Sequence, residues 1–109
     1  MRIWDLSPEV LCRLHLLGEH RELHGLWVIL TKDKKGYSRH PETHRWRGKL
    51  QALYRRHEAL AAEMARRGYR HNTPLAAKEA VGMAEQREYK DTPAEQVRIL
   101  QAKGCGCRV

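Results

Sequence analysis

The 109-residue sequence contains no phenylalanine, only three cysteines and no long apolar run. No stretch approaches the roughly 18 apolar residues of a membrane-spanning helix, and the first residues lack the apolar segment of a signal peptide. A small secreted scaffold normally carries a denser and even set of cysteines. We therefore expect reduced thiols in a cytoplasmic protein that does not bind membranes.

The amino-acid composition is typical of a folded, helix-rich globular protein. Hydrophobic residues make up 41% of the chain and charged residues 31%, which excludes a disordered tail or a collagen-like repeat. The length suits one domain over residues 1–109. Residues 104–109 are expected to form a flexible tail.

The net charge of +8 is concentrated in the middle of the chain, where residues 31–71 contain 12 basic and 4 acidic side chains. Such an excess is typical of a face that binds a polyanion, although basic stretches are also common on solvated surfaces. The basic residues of this segment that we consider for phosphate contacts are Arg45, Arg47, Lys49, Arg55, Arg56, Arg66 and Arg67.

The spacing of apolar residues predicts two long helices. The first spans about residues 8–30 and includes Leu14 among its apolar positions. The second spans about residues 44–67 and is expected to end at Gly68. A polar connection is expected between them at residues 31–43. The core stripe of the second helix is predicted to comprise Trp46, Leu50, Leu53, His57, Leu60 and Met64.

Two shorter helices are predicted in the last third of the chain. One spans about residues 73–89, and the other spans about residues 92–103. The second of these opens with Thr92-Pro93-Ala94-Glu95, which has the form of a capping box. No strand pattern is visible. The expected fold is all-α, with two long helices and one or two shorter helices packed around a single core.

Metal and nucleophile motifs are incomplete in the sequence. His20 and His24 are four residues apart, but the residues between them differ from the zinc motif in which a glutamate follows the first histidine. Cys105 and Cys107 form a C-x-C pair without a second pair. Neither group is a full ligand set, so we predict no metal and no other cofactor. Glycine-rich phosphate loops and a Gly-x-Ser-x-Gly elbow are also missing.

A polar interruption at residues 18–22 divides the first predicted helix. Gly18 and Gly25 lie four residues before and three after Glu22, so they share its face. Two glycines inside a helix cost about 2 kcal/mol relative to alanine, and their missing side chains leave room for a close approach. The pattern indicates either a site around Glu22 or two tolerated glycines on a solvated face.

Two segments of the chain resemble the pyrimidine-dimer DNA glycosylase family, of the phage endonuclease V type. The first is Met1-Arg2-Ile3 followed by His-Leu-Leu-Gly-Glu-His-Arg-Glu-Leu at residues 15–23. The second lies within residues 49–69 and includes Leu-Tyr-Arg-Arg at 53–56 and Arg-Arg-Gly-Tyr at 66–69. Together they cover about the first 70 residues.

The resemblance implies a bifunctional DNA glycosylase and abasic-site lyase that acts as a monomer without a cofactor. Members of that family use the N-terminal α-amine as nucleophile and a carboxylate, here Glu22, as acid or base. Met1 aligns with the nucleophile position of the family. Methionine is normally retained before a large residue such as Arg2, so the α-amine of Met1 itself would be the nucleophile. Arg2, His15 and Arg21 fall on positions that approach the DNA backbone. The implied partner is double-stranded DNA with ultraviolet pyrimidine dimers or abasic nucleotides.

Elementary chemistry agrees with an α-amine as nucleophile. The ordinary pKa of an α-amino group is about 7.7–8.0 and that of a lysine about 10.4, so far more α-amine is neutral at pH 7. Only the neutral amine attacks, and an adjacent carboxylate can accept and return protons. With a helix that begins at Pro8, Glu22 lies about 21 Å along the axis, whereas seven extended residues span at most about 25 Å. The N-terminal segment must therefore run back nearly straight along the helix.

Two other functions remain open from the sequence. One is a noncatalytic module that binds nucleic acid through the basic middle segment. The other is a glycosylase or lyase that acts on a different damaged base, or on abasic sites alone.

Overall fold

A computed structural model of the protein describes residues 1–32, 39–70 and 73–109. Within these ranges the chain forms four α-helices and no strand, so the expected all-α fold is confirmed. The helices are α1 (Arg13–Lys32), α2 (Pro41–Trp46), α3 (Leu50–Arg66) and α4 (Pro93–Ala102), with short 3₁₀ turns at Pro8–Val10 and Ala77–Glu79. Of the polar connection expected at 31–43, residues 33–38 lie outside the described residues.

The core lies mainly between α1 and α3. Ile3 and Trp4 from the N-terminal segment and Leu100 from α4 are buried against it. Each fully buried side chain of this size stabilises the fold by about 1.5–3 kcal/mol. The predicted stripe of the second long helix is confirmed, since all its members are buried except Leu50, which is partly buried: Trp46, Leu53, His57, Leu60 and Met64.

Helix α1 begins later than the sequence predicted. Pro8 opens a 3₁₀ turn, and the chain leaves this turn through extended backbone at Leu11. The Nη2 atom of Arg67 donates to the carbonyl of Leu11 at 2.7 Å and contacts that of Pro8 at 3.3 Å. These carbonyls therefore bond to a distant side chain instead of continuing a helix. Leu14, an expected core position, lies nine residues before the buried Leu23 and therefore half a turn away from it around the helix, and it is 79% exposed.

The predicted second long helix is in fact two helices. Helix α2 ends at Trp46, Gly48 follows in the left-handed region with a φ of 73°, and α3 then begins at Leu50. Gly82 packs directly on this break. A Cβ atom at Gly82 would lie 2.3 Å from the carbonyl oxygen of Gly48, so only glycine fits there.

The helix predicted over residues 73–89 is wrong. This segment contains only the 3₁₀ turn at Ala77–Glu79, and the residues after the turn bind the start of α3. The backbone N–H of Gln51 donates to the carbonyl of Val81 at 2.9 Å, and that of Ala52 donates to Met83 at 3.0 Å. The first N–H groups of a helix lack partners within the helix. The segment therefore caps α3 and does not form a helix of its own.

Helix α4 begins as predicted. The hydroxyl of Thr92 accepts from the backbone N–H of Glu95 at 3.2 Å, and the Glu95 carboxylate accepts from the N–H of Thr92 at 2.9 Å. This reciprocal pair confirms the capping box. None of the described helices is both long enough and apolar enough to cross a membrane.

Candidate active site

The first seven residues run back along α1 and bring the chain terminus to the level of Glu22. The indole ring of Trp4 meets the imidazole of His15 edge to face, with 5.7 Å between the ring centroids. Because α1 begins at Arg13, Glu22 lies only nine residues into the helix, about 14 Å along its axis. The N-terminal segment therefore has less distance to cover than a helix beginning at Pro8 requires.

Arg45 and Glu42 of α2 hold the backbone of this segment. The N–H of Ile3 donates to the Glu42 carboxylate at 3.3 Å, and the carbonyl of Ile3 accepts from Arg45 at 3.0 Å. The Arg45 guanidinium also pairs with Glu42 at 2.5 Å and with Asp5 at 3.0 Å. Arg45 is only 5% exposed. The donors of Arg45, which the sequence analysis considered for a phosphate contact, thus bond to groups inside the protein.

Glu19 and Arg56 hold the next stretch of the same segment. Glu19 is buried and accepts two hydrogen bonds from Arg56, at 2.6 and 2.9 Å, and it also accepts from the backbone of Trp4. Arg56 donates in addition to the carbonyl of Leu6 at 2.6 Å. Burial raises the pKa of Glu19 above its ordinary value, and the Arg56 guanidinium acts in the opposite direction. Arg56 is thus a positioning residue and not a free phosphate ligand.

Helix α4 and Asp91, two residues before the helix, also contact the N-terminal segment. Gln96 accepts from the backbone N–H of Asp5 at 2.7 Å and donates to the Asp5 carboxylate at 2.9 Å. The guanidinium of Arg2 pairs with Asp91 at 2.9 Å and lies 4.8 Å from the centre of the Trp4 ring. The N-terminal segment is therefore fixed by side chains from α1, α2, α3 and α4.

Met1 and Glu22 line the same open pocket, which has a volume of about 300 Å³. Glu22 itself is exposed. Among the ion pairs of the described residues, none joins the Met1 amine to this carboxylate. The N-terminal residue and Glu22 thus share one open pocket. Its walls are formed by Met1, Arg2, Trp4, Leu14, His15, Gly18, Glu19, Glu22, Ile99 and Lys103.

A family model described as pyrimidine dimer DNA glycosylase matches residues 1–77 of the chain. The chain belongs to this family. Among curated proteins and among solved structures, none matches the chain.

Membership assigns the protein to the DNA glycosylases, and DNA is accordingly its substrate. The matched region contains the N-terminal segment and α1 to α3, so it includes both Met1 and Glu22. Helix α4 and the residues that follow it lie outside the match.

The structure separates the predicted DNA contacts of this glycosylase into two groups. Arg2 and His15 line the pocket, and Arg21 and Arg47 are exposed. Lys49, in contrast, is 5% exposed and donates to Gln86 at 2.7 Å and to Glu88 at 2.8 Å. The ammonium group of Lys49, like the guanidinium group of Arg45, is therefore used within the fold.

The basic residues at the end of α3 are also committed to an acidic partner. Arg66 and Arg67 both pair with Glu63, whose side chain is 4% exposed. Hydrogen bonds from Arg66 and Arg67 lower the pKa of Glu63 to about 2, although burial opposes this shift. Arg55, in contrast, is exposed. The basic excess of the middle segment therefore includes many residues that neutralise buried carboxylates.

The pocket residues that the sequence analysis missed include Leu14, Ile99 and Lys103. Leu14 was assigned to the core, but it lies on the side of α1 opposite the buried Leu23 and lines the pocket. Ile99 and Lys103 belong to the last helical segment and reach the pocket only through tertiary packing. No local motif marks either of them. Lys103 is a second amine on the pocket, so it is the alternative to Met1 as a nucleophile.

The three cysteines of the chain and His15 come together at the start of α1. Their ligand atoms all lie within 4.8 Å of one another. The sequence analysis judged Cys105 and Cys107 an incomplete metal set, because it had no means of pairing them with Cys12 and His15. Within residues 104–109, which the sequence analysis expected to form a flexible tail, the backbone N–H of Arg108 donates to the Val10 carbonyl at 2.7 Å.

A separate histidine cluster lies between α1 and α3, outside the pocket. The Nε2 atom of His24 is 3.2 Å from that of His20 and 3.1 Å from that of His57. The other ring nitrogen of His57 contacts Glu58 at 2.9 Å. Sequence reasoning considered His20 and His24 but had no signal that His57 faces them.

Proposed function

We propose that the protein is a bifunctional DNA glycosylase and abasic-site lyase that uses the Met1 α-amine as nucleophile and Glu22 as its acid–base partner. The observation that carries the proposal is that Met1 and Glu22, far apart in sequence, line one open pocket. Family membership supports the glycosylase step. The lyase step, the two residue roles and a preference for ultraviolet pyrimidine dimers are our inference.

In the proposed reaction, the lone pair of the neutral amine forms a bond to the sugar C1′ atom. The glycosidic bond breaks, and its electron pair leaves with the damaged base. Glu22 takes the proton released by the amine and passes a proton to the sugar ring oxygen as the ring opens to an imine. Removal of a C2′ proton then expels the 3′ phosphate by β-elimination and cuts the strand.

The surroundings of the pocket suit a DNA strand. Arg2 and His15 lie on the pocket wall, while Arg21 and Arg47 are exposed, and we assign phosphate contacts to these four. Each phosphate that is neutralised makes affinity fall more steeply with salt. Extruding a nucleotide costs a few kcal/mol and least at damaged sites, which supplies part of the selectivity.

The direct test of this function is covalent trapping. The protein is incubated with an abasic-site duplex and borohydride, which reduces an imine to a stable amine. We expect a covalent protein–DNA adduct of one chain per lesion. No adduct would favour a noncatalytic DNA-binding module. Comparing strand cleavage on ultraviolet-dimer, oxidised-base and abasic duplexes then identifies the substrate.

Replacing Gly18 with alanine tests whether the pocket holds the substrate. A Cβ atom at this position meets no protein atom within 4 Å, so the variant should fold and gain about 1 kcal/mol of helix stability. The added methyl group occupies the pocket wall, and we expect a severalfold increase in KM for damaged DNA. Steady-state kinetics and thermal unfolding measure the two effects.

Gly25→Ala is the matched control for this change. Gly25 is exposed on α1 and, like Gly18, has no protein atom within 4 Å of a built Cβ, but it is not part of the pocket. The Gly25→Ala variant should gain similar stability, and its KM for damaged DNA should equal that of the unmodified protein. Equal kinetics in the two variants would show that the substrate binds elsewhere.

A further inference from the structure

All three cysteines of the sequence converge on one histidine, although they come from the two ends of the chain. Cys12 precedes α1 and His15 lies in its first turn, whereas Cys105 and Cys107 follow α4. The Nδ1 atom of His15 is 3.1 Å from the sulfur of Cys12 and 3.4 Å from that of Cys107. The cysteines are not joined by disulfides.

We propose that Cys12, His15, Cys105 and Cys107 form a structural zinc site. Three cysteines and one histidine are a common ligand set of structural zinc, which is four-coordinate and tetrahedral. Thiolate ligands favour zinc over the hard cations calcium and magnesium. Cys105 and Cys107 lie outside the family match, which ends at residue 77, so the complete ligand set is a property of this chain. The site does not include Met1 or Glu22 and is therefore independent of their proposed catalytic roles.

The distances agree with a tetrahedral ion. Zinc bonds of about 2.3 Å to sulfur and about 2.0–2.1 Å to nitrogen place neighbouring ligand atoms about 3.5–3.8 Å apart. The two sulfur–nitrogen distances given above are within about 0.4 Å of this range, and all four atoms lie within 4.8 Å of one another. Only small side-chain rotations are needed to close the site around an ion.

The polar groups around the cluster suit thiolates. The backbone N–H of Cys12 donates to the sulfur of Cys107 at 3.1 Å, and hydrogen bonds of this kind orient metal ligands and stabilise their charge. The chain end is also fixed beside the cluster, since Arg108 donates through its side chain to the carbonyl of Glu9 at 3.0 Å. Backbone and side-chain contacts thus hold both halves of the ligand set in place.

A zinc ion here would fasten one wall of the active-site pocket. His15 lines the pocket directly, and Lys103, just before Cys105, lines it as well. The ion would connect the residues after α4 to the start of α1, next to the N-terminal segment. We therefore expect metal loss to loosen the pocket in addition to lowering the melting temperature.

The test uses the full chain, purified under reducing conditions with zinc present and without chelator. Elemental analysis should show that Cys107→Ser holds one zinc equivalent less per chain than the unmodified protein. Cobalt in place of zinc should give the sulfur-to-cobalt charge-transfer absorption, which Cys107→Ser should largely lose. Gln101→Ala, a change at an exposed position near the end of α4 that removes neither a thiol nor an imidazole, should keep both the metal and the absorption.

The same measurements distinguish metal bound at the proposed zinc site from metal bound at the histidine cluster. Cobalt bound at His20, His24 and His57 gives no sulfur-to-cobalt absorption. Metal bound at these histidines would also be retained in Cys107→Ser, so the metal content of the protein would not change. Equal zinc contents in Cys107→Ser and the unmodified protein would overturn the proposal, as would cobalt loading without a sulfur band. A disulfide between two of the cysteines in the freshly purified protein would do the same.

A second measurement covers the case in which Cys107→Ser does not fold. A strong chelator added to the unmodified protein should expose three reactive thiols that were protected before. The melting temperature should fall by roughly 5 °C or more. Thiols that react fully before chelation, with no change on adding chelator, would contradict a bound metal.

Discussion

Glu22→Gln is expected to lower strand cleavage at the lesion by about 10²- to 10⁴-fold, the usual contribution of a general acid or base. The amide keeps the shape of the carboxylate but cannot accept the proton that the attacking amine releases. Glu22 is exposed and makes no described ion pair, so the change should alter the free energy of unfolding by no more than about 0.5 kcal/mol. Single-turnover cleavage of damaged duplex measures the loss.

DNA binding separates this catalytic effect from a general defect. Affinity for an undamaged duplex should remain close to that of the unmodified protein, since the phosphate contacts are unchanged. Glu85→Gln is the matched control, because Glu85 is an exposed glutamate that is not part of the pocket. Turnover of Glu22→Gln equal to that of Glu85→Gln would rule out the assigned role of Glu22.

Adding two residues before Met1 is expected to abolish borohydride trapping on abasic DNA. The Met1 nitrogen becomes an amide, which is not a nucleophile, and the new terminal amine is displaced by up to about 7 Å. Because positioning within a fraction of an ångström governs such reactions, an amine moved this far should not attack C1′ productively. The covalent adduct is quantified by gel electrophoresis after reduction.

Lys103→Ala is the control for the extended protein. Lys103 carries the other amine on the pocket wall. We expect Lys103→Ala to retain trapping. If the extended protein still forms the adduct and Lys103→Ala does not, the nucleophile is Lys103 and the proposal for Met1 is wrong. Thermal unfolding should show that both proteins remain folded.

Much of the candidate site was predictable from the sequence. The glycine and glutamate pattern on the first helix, with the family resemblance, pointed to Glu22 and Met1, and both line the pocket. The sequence did not predict which basic residues of the middle segment are buried. Arg45 and Lys49 belong to the same basic segment as the exposed Arg47. Sequence charge cannot distinguish a residue that faces phosphate from one that neutralises a buried carboxylate, because the acidic partners come from distant segments.

The sequence by itself determined the features that depend on neighbouring residues. The capping box needs only Thr92 and Glu95, and the stripe on α3 needs only the helical period, so both were predicted correctly. The charge excess and the family also follow from the sequence alone. These features need no knowledge of which distant segments meet.

Tertiary structure decided where helices end and which side chains meet. Carbonyls near Leu11 bond to Arg67, and the first turn of α3 bonds to Val81 and Met83, so two predicted helices are shorter and a third is absent. The cysteine and histidine cluster joins residues up to 95 positions apart. Such contacts form because buried polar groups must find partners wherever the folded chain supplies them, and no local pattern encodes that choice.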